Sequence, residues 1–425
     1  MPMIFGLLII VALVKLILQL VRLILTISYL KRYLLVHYSE IGLKGSNLQY
    51  FVDRLHKRLK FVLEKALRKT FVVKHCLKRF LIELPGDFTN SALDELTYID
   101  VLSKVFGIEN FSFVFGGSID LAVLAEQIHA NLPDFSKCMN FCVRAKRSQI
   151  LPYKSIDAER DLGARLIDFG LKLPVRLDDP DLRISVEFFN DTAYFSFKKY
   201  SGPGGLPANT GGKLISLVSG GFDSPVAAYR MMKRGARIIF VHFHAYPYTD
   251  MTEINNVKEL VKKLSAYQFD TKLYLIPFGK VQKEISTNLD VPAKIRIILY
   301  RRMMIRIAEK IAHDEKAKGL VTGDNFGQVA SQTSENIFAI DQASSIVVYR
   351  PLISFDKAEI IVQADVIGTH EISKMPCKDT CTMFAPKIPE IRANLRDILE
   401  VEKNLPISKF VDDSLSAAEI INFEA

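Results

Sequence analysis

An apolar run at residues 214–218 leads without a break into Ser219-Gly-Gly-Phe-Asp-Ser224, and Pro225 then opens a helical stretch at 226–233. A strand that turns through glycines straight into a helix start commits the chain around it to an α/β sheet, since such a turn packs at the carboxyl end of a helix-covered strand. Pro225 suits the first helical position, where its missing N–H has no partner to lose. Glycines let the backbone approach an anion closely, and the N–H groups at the positive end of the helix dipole cradle a phosphate. Ser219 and Ser224 add hydroxyl donors. No lysine follows the glycines, so the loop that transfers a γ-phosphoryl group is excluded. Asp223 instead suits a magnesium ion on a pyrophosphate leaving group.

The rest of the chain agrees with that start. Strand-like runs at 214–218, 237–242, 272–277, 319–322 and 346–350 alternate with helix-length segments, the pattern of a doubly wound parallel sheet. Before it, residues 201–212 hold five glycines and two prolines, the composition of a linker or a substrate-facing loop. Upstream the grammar differs. A short strand at 33–37, a helix at 47–69 with Leu48, Phe51, Leu55, Leu59, Val62, Leu63 and Ala66 inward, and one or two strands at 71–84 predict a small α+β unit. A strand at 141–146, a helix at 157–171, and a hairpin of 183–189 and 192–198 through Asn190-Asp191 predict a second. The expected division is 1–30, 31–85, 86–200, 201–212 and 213–425.

Charge is local. The chain carries +9, and residues 44–79 alone hold 11 Lys/Arg against Asp53 and Glu64. Clustered cations suit a polyanion, because neutralising phosphates releases counterions; a solvated helix face is the alternative. Five cysteines, Cys76, Cys138, Cys142, Cys377 and Cys381, are an odd, sparse set that argues for a reducing, cytoplasmic compartment. Both pairs are spaced Cys-x-x-x-Cys, and a closed zinc site normally needs further ligands, so no resident metal site is assigned. Residues 3–30 are almost wholly apolar, with Lys15, Gln19, Arg22 and Thr26 forming a polar stripe at helical spacing. An interfacial membrane helix, a membrane span and a mis-set translation start all fit this leader. A secretory signal does not, for want of a basic start and a cleavage site.

Ser-Gly-Gly-Phe-Asp-Ser resembles the PP-loop of ATP pyrophosphatases. Tyr38-Ser-Glu-Ile-Gly-Leu-Lys-Gly45, Gly204-Gly-Leu-Pro207, Val241-His-Phe-His244, Gly327-Gln-Val-Ala-Ser-Gln-Thr333 and Arg350-Pro-Leu-Ile-Ser-Phe-Asp-Lys357 all resemble the tRNA 4-thiouridine synthetases of the ThiI type, in the right order over residues 33–386. The resemblance implies an N-terminal ferredoxin-like domain, an RNA-binding THUMP domain and a PP-loop domain. It implies tRNA as partner, adenylation of a uridine by ATP with Mg2+, and displacement of AMP by sulfur from a cysteine desulfurase or another persulfide donor. Sulfur supply to thiazole synthesis for thiamine is a further family role. A homodimer and membrane association through the leader stay open.

By family position, Leu217, Val218, Ser219, Gly220, Gly221, Asp223, Ser224, His242, Phe243, Arg301, Gly323 and Gln332 are expected to bind ATP, and Asp223, Lys357 and Cys381 to act in catalysis. Without the resemblance, His242 reads as a packed strand histidine and Arg301 as a solvated helix residue. Lys357 would offset charge on the adenylate. Cys381 would carry sulfur onward, and Cys377 would resolve a disulfide, ligate a cluster or be incidental. The chain departs from the pattern in three ways: no rhodanese-like C-terminal domain is expected, Asp324-Asn325 stands where Glu-Ser or Glu-Ala is usual, and the leader precedes the family's start. Rival readings are another PP-loop tRNA modifier and a non-catalytic RNA-binding protein.

Overall fold

Alternating apolar side chains build one sheet of the protein and continuous apolar runs build the other. The computed structural model describes residues 30–88, 92–376 and 384–424. They divide into two units: residues to 43, 59–103 and 108–204 in the first, and 44–58, 104–107 and 205–424 in the second. The chain passes for the last time from the first unit to the second at Gly204 and Gly205, within the Gly/Pro-rich segment.

In the first unit, β1 (Arg32–His37), β2 (Val73–Cys76), β3 (Arg79–Glu83), β4 (Asn110–Gly117), β5 (Phe141–Arg147), β6 (Leu182–Phe189) and β7 (Thr192–Ser196) lie in the order β2-β3-β1-β4-β7-β6-β5, with β8 (Tyr200–Ser201) beside β4. The two small units expected from the sequence thus share one sheet, because β4 pairs with β1 on one side and β7 on the other. The β6–β7 hairpin turns through Asn190 and Asp191 at φ 51° and 52°, the left-handed pair that a two-residue hairpin loop demands. Parallel β5 and β6 are joined across α4 (Ser155–Asp168). Leu182, Ile184, Val186 and Phe188 alternate toward Leu124 and Ile128 of α3 (Leu121–Ala130) and Leu162 and Leu166 of α4, which bury that face. The long basic helix is α1 (Leu48–Leu67), and α2 (Ala92–Leu102) precedes β4. On α1, Leu55, Leu59 and Leu63 are buried as expected, Leu48, Phe51 and Val62 are half-buried, Ala66 is exposed, and Val52, which was not expected, is buried.

The second unit is the doubly wound sheet. Strands β9 (Lys213–Leu217), β10 (Arg237–His244), β11 (Asp270–Pro277), β12 (Gly319–Val321) and β13 (Val347–Tyr349) run parallel in the order β13-β12-β9-β10-β11. Both faces are covered, so consecutive residues feed opposite cores: Leu214, Ile238 and Phe240 pack with α5 (Asp223–Lys233) and α6 (Thr252–Ser265), while Ile215, Ile239 and Val241 pack with α8 (Arg296–Glu315), which follows α7 (Gly279–Thr287). Beyond β12 come α9 (Ser334–Asp341), α10 (Lys357–Val366), α11 (His370–Ser373), α12 (Leu395–Lys403) and α13 (Ile407–Ser416). A sixth strand that the sequence did not announce, β14 (Glu419–Glu424), pairs antiparallel with β11 at the sheet edge. Strand order reverses between β9 and β12, so the loops leaving their carboxyl ends part and leave a crevice.

Among the described residues no helix is long and apolar enough to cross a membrane. The leader at 3–30 lies outside the described residues except for Leu30.

Candidate functional site

The crevice at the β9–β12 reversal is a cavity of about 270 Å³. Of the residues expected to bind nucleotide, Leu217, Val218, Ser219, Asp223, Ser224, His242, Phe243, Arg301, Gly323 and Gln332 line it together, while Gly220 and Gly221 complete the loop without lining it. The loop is tied before any ligand arrives. Ser219 N–H donates to Ser224 Oγ at 2.9 Å, and Gly221 N–H donates to Ser219 Oγ at 3.4 Å. Helix α5 begins at Asp223, so Pro225 is its third residue, not its first. That costs nothing, because none of the first-turn N–H groups has an intrahelical partner.

Gly323 shows why the two loops can meet. A Cβ there would lie 2.6 Å from Ser224 N, 2.8 Å from Ser224 Cα and 2.9 Å from the Asp223 carbonyl carbon, all rigid backbone. Only glycine lets the end of β12 press against the helix start that would hold a phosphate.

Asp223 heads α5, and Lys357 heads α10 behind the Asp356 capping box with Glu359. A cation at a helix N-terminus opposes the dipole, whereas an anion there is favoured. The two meet: Lys357 Nζ donates to Asp223 Oδ1 at 2.7 Å and Oδ2 at 2.9 Å. Gln328 Nε2 reaches the same carboxylate at 3.5 Å. Lys357 does not line the cavity, yet it is tied directly to a residue that does.

His242 is both things the sequence allowed. It is a packed strand histidine, 1% exposed, and it lines the cavity. Its Nδ1 lies 2.9 Å from the Val218 carbonyl, which only accepts, so Nδ1 carries the proton. Burial pulls its pKa down to about 4, leaving a neutral ring whose buried Nε2 has no hydrogen-bond partner among the described residues. Such an orphaned acceptor fits a ligand N–H or O–H. Arg301 is not a solvated residue: it forms an ion pair with Asp324.

Sequence reasoning missed Asp324 as more than a departure from pattern, and missed Arg350 as its partner. Burial would push the Asp324 carboxyl up, but Arg301, the Thr322 hydroxyl and Arg350 outweigh it and hold the group below its usual value. The available signal was an acid immediately beyond a strand end in an α/β sheet. Glu253 also lines the cavity, buried on α6, with no motif to announce it.

Cys377 and Cys381 lie outside the described residues. On one side of them Ser373 touches the phosphate loop, its Oγ donating to the Gly221 carbonyl at 3.2 Å; on the other, the Phe384 ring lies 5.9 Å from that of Tyr248, which does not line the cavity. The described cysteines, Cys76, Cys138 and Cys142, are free thiols. Among the described residues no group of three or more His, Cys, Asp or Glu is arranged to hold a metal ion.

Comparison with known proteins adds three family matches: a thiamine biosynthesis protein (ThiI) model over residues 209–407, a ThiI ferredoxin-like domain over 33–112 and a THUMP domain over 122–198. A probable tRNA sulfurtransferase of Thermus thermophilus is 37% identical over 393 residues, spanning 91% of this chain and 92% of that one. One from Caldanaerobacter subterraneus is 37% identical over 388 residues, spanning 90% and 98%. Among solved structures, a 4-thiouridine synthetase in complex with RNA and bound ATP is similar at TM-score 0.81 and 34% identity, covering 93% of this chain and all of that one.

Proposed function

The chain belongs to the ThiI family of tRNA sulfurtransferases, enzymes of tRNA thiolation, and on that premise we propose that its cavity binds ATP and activates a tRNA uridine for conversion to 4-thiouridine. The observation that carries the reading is the convergence of the phosphate-loop residues Ser219, Asp223 and Ser224 with His242, Arg301, Gly323 and Gln332 on one cavity. The similar 4-thiouridine synthetase, whose structure contains RNA and ATP, supports it.

In this reading the C4 oxygen of uridine attacks the α-phosphorus of ATP, the bond to the β-phosphate breaks and pyrophosphate leaves. A sulfur nucleophile then adds at C4 and AMP departs. The serine-tied loop and the first turn of α5 offer N–H and hydroxyl donors to the phosphates. His242 accepts from the nucleoside, and Lys357 supplies a fixed positive charge near the reacting phosphate. A magnesium ion suits the donor set, since such ions are held by one or two carboxylates plus substrate phosphates. Asp223 would hold it, and when bound it would neutralise charge on the departing pyrophosphate.

Cys381 would carry the sulfur from a persulfide donor such as a cysteine desulfurase. Two things support this: the motif around it, and the contact of Ser373, eight residues earlier, with the phosphate loop. Delivery of sulfur to thiamine thiazole synthesis belongs to the same proposal, in keeping with the family description over 209–407. The proposed division follows the expected boundaries, with the ferredoxin-like and THUMP parts before the 201–212 linker and the PP-loop domain after it. Mass spectrometry of tRNA nucleosides tests the function. Cells lacking the chain are expected to lose 4-thiouridine, and undiminished 4-thiouridine would refute the assignment.

A further inference from the structure

Asp324 is a third carboxylate, beside Asp223 and Glu253, in the wall of the cavity read here as an ATP site. It follows Gly323 at the end of β12, is 4% exposed, and lines the cavity with Arg301, Thr322 and Gln332. Both of its oxygens are engaged. Oδ1 accepts from Arg301 Nη2 and, at 3.4 Å, from Gln332 Nε2. Oδ2 accepts from the Thr322 hydroxyl at 2.7 Å and from Arg350 Nε at 3.2 Å. Arg350 turns its other edge to Asp341, with Nη1 2.9 Å from Oδ2. Charges therefore alternate in sign from Arg301 through Asp324 and Arg350 to Asp341, and only the first two face the cavity.

Such a chain is not explained by stability. Buried ion pairs rarely outdo well-packed apolar side chains, because desolvation offsets their attraction. Nor does it serve nucleotide affinity, since a carboxylate beside a triphosphate repels it. What it does provide is geometry. Arginine has a long flexible side chain, and an ion pair backed from behind by a second arginine fixes where its guanidinium lies. A fixed cation contributes to rate when it meets charge that develops only in the transition state.

We propose that Asp324 is a positioning residue for the adenylation step, acting through Arg301, whose guanidinium it holds at the cavity wall at some loss of ground-state attraction for ATP. The proposal rests on the reading of this cavity as an ATP site. The sign of the affinity effect separates it from a structural strut. Removing a strut loosens the cavity and raises KM for ATP, whereas removing a positioning anion leaves KM unchanged or lowers it while kcat falls.

The test measures tRNA-dependent pyrophosphate release against ATP concentration for the full chain and for D324N, R301Q and R301Q/D324N. D324N is expected to lose at least tenfold in kcat with KM for ATP no higher than the parent's. The double variant is expected to match R301Q within about twofold, because Asp324 has nothing left to act through. An unchanged kcat with a raised KM in D324N, or losses that multiply in the double variant, would overturn the role. If D324N fails to fold by circular dichroism, the double variant, which removes both charges of the pair, is compared with R301Q by the same criterion. A parent that releases no pyrophosphate would instead overturn the ATP reading, and this proposal with it; an active parent with multiplying losses overturns the positioning role alone.

Discussion

Asp223 and Lys357 illustrate how one residue's chemistry is set by where its helix begins. Each is the first residue of a helix, and their pairing neutralises a cation that the α10 dipole would otherwise oppose. Asp223→Ala removes both the partner of Lys357 and the carboxylate proposed to hold magnesium. It is expected to abolish tRNA-dependent pyrophosphate release, and activity within threefold of the parent would contradict the assignment. His242 gives a pH prediction. Its folded-state pKa of about 4 lies below the ordinary 6.5 because it is buried. Between those values the unfolded chain binds the extra proton, so stability falls as pH drops from 6.5 toward 4. From pH 7 to pH 4.5 this amounts to about 2 kcal/mol. His242→Asn keeps an amide donor at the Nδ1 position for the Val218 carbonyl without the titration. Its melting temperature is expected to fall less on acidification than the parent's, and parallel curves would show that His242 does not contribute.

At the scale of elements, α1 and the two residues after it carry the basic cluster that the sequence left open between a polyanion contact and a solvated face, and the structure sorts it. Arg54, Lys57, Lys60, Arg68 and Lys69 are exposed. Arg58 is 2% exposed, donates to the Ala266 carbonyl at 2.7 Å and covers the Phe269 ring, so it is not a phosphate contact. Reversing Arg54, Lys57 and Lys60 together is expected to weaken tRNA binding and flatten the slope of log K against log salt by about 2 to 3. ATP affinity should hold. Fluorescence anisotropy across a salt series measures this, and an unchanged slope would leave the cluster a solvated face. Helical periodicity identified the face of α1 but not what covers Arg58, because periodicity carries no information about partners distant in sequence. The same limit hid β14, whose mostly exposed residues include acids at both ends and whose partner β11 lies some 150 positions earlier. By contrast the five parallel strands were legible as apolar runs, which burial on both faces explains for the central strands, while the edge strand β13 is mostly exposed. The phosphate loop was legible because only glycines and hydroxyls serve there. Asp324 was not, since its meaning lies in Arg301 and Arg350, which the fold alone brings to it.

For the whole molecule, every recognised block lies beyond residue 31, so a chain begun at Lys31 is expected to fold and thiolate tRNA; a folded but inactive product would give the leader a role. As proposed, thiolation divides into activation and sulfur delivery, and one thiol is expected to separate the two. The cavity, the serine-tied loop and the Asp223–Lys357 pair contain everything proposed for activation, and none of these described residues is a thiol. Displacement of AMP needs a sulfur nucleophile, and a thiolate is the side chain that accepts sulfur from a persulfide. Cys381→Ser is therefore expected to release pyrophosphate at close to the parent rate while making no 4-thiouridine with a cysteine desulfurase as the sole donor. Excess sulfide, which needs no carrier, should restore part of the product. Cys377→Ser should be milder if that thiol only resolves a disulfide and as severe if both residues ligate a cluster. Loss of pyrophosphate release in Cys381→Ser would move this cysteine into the activation half, and full thiolation by the variant would remove it from the reaction.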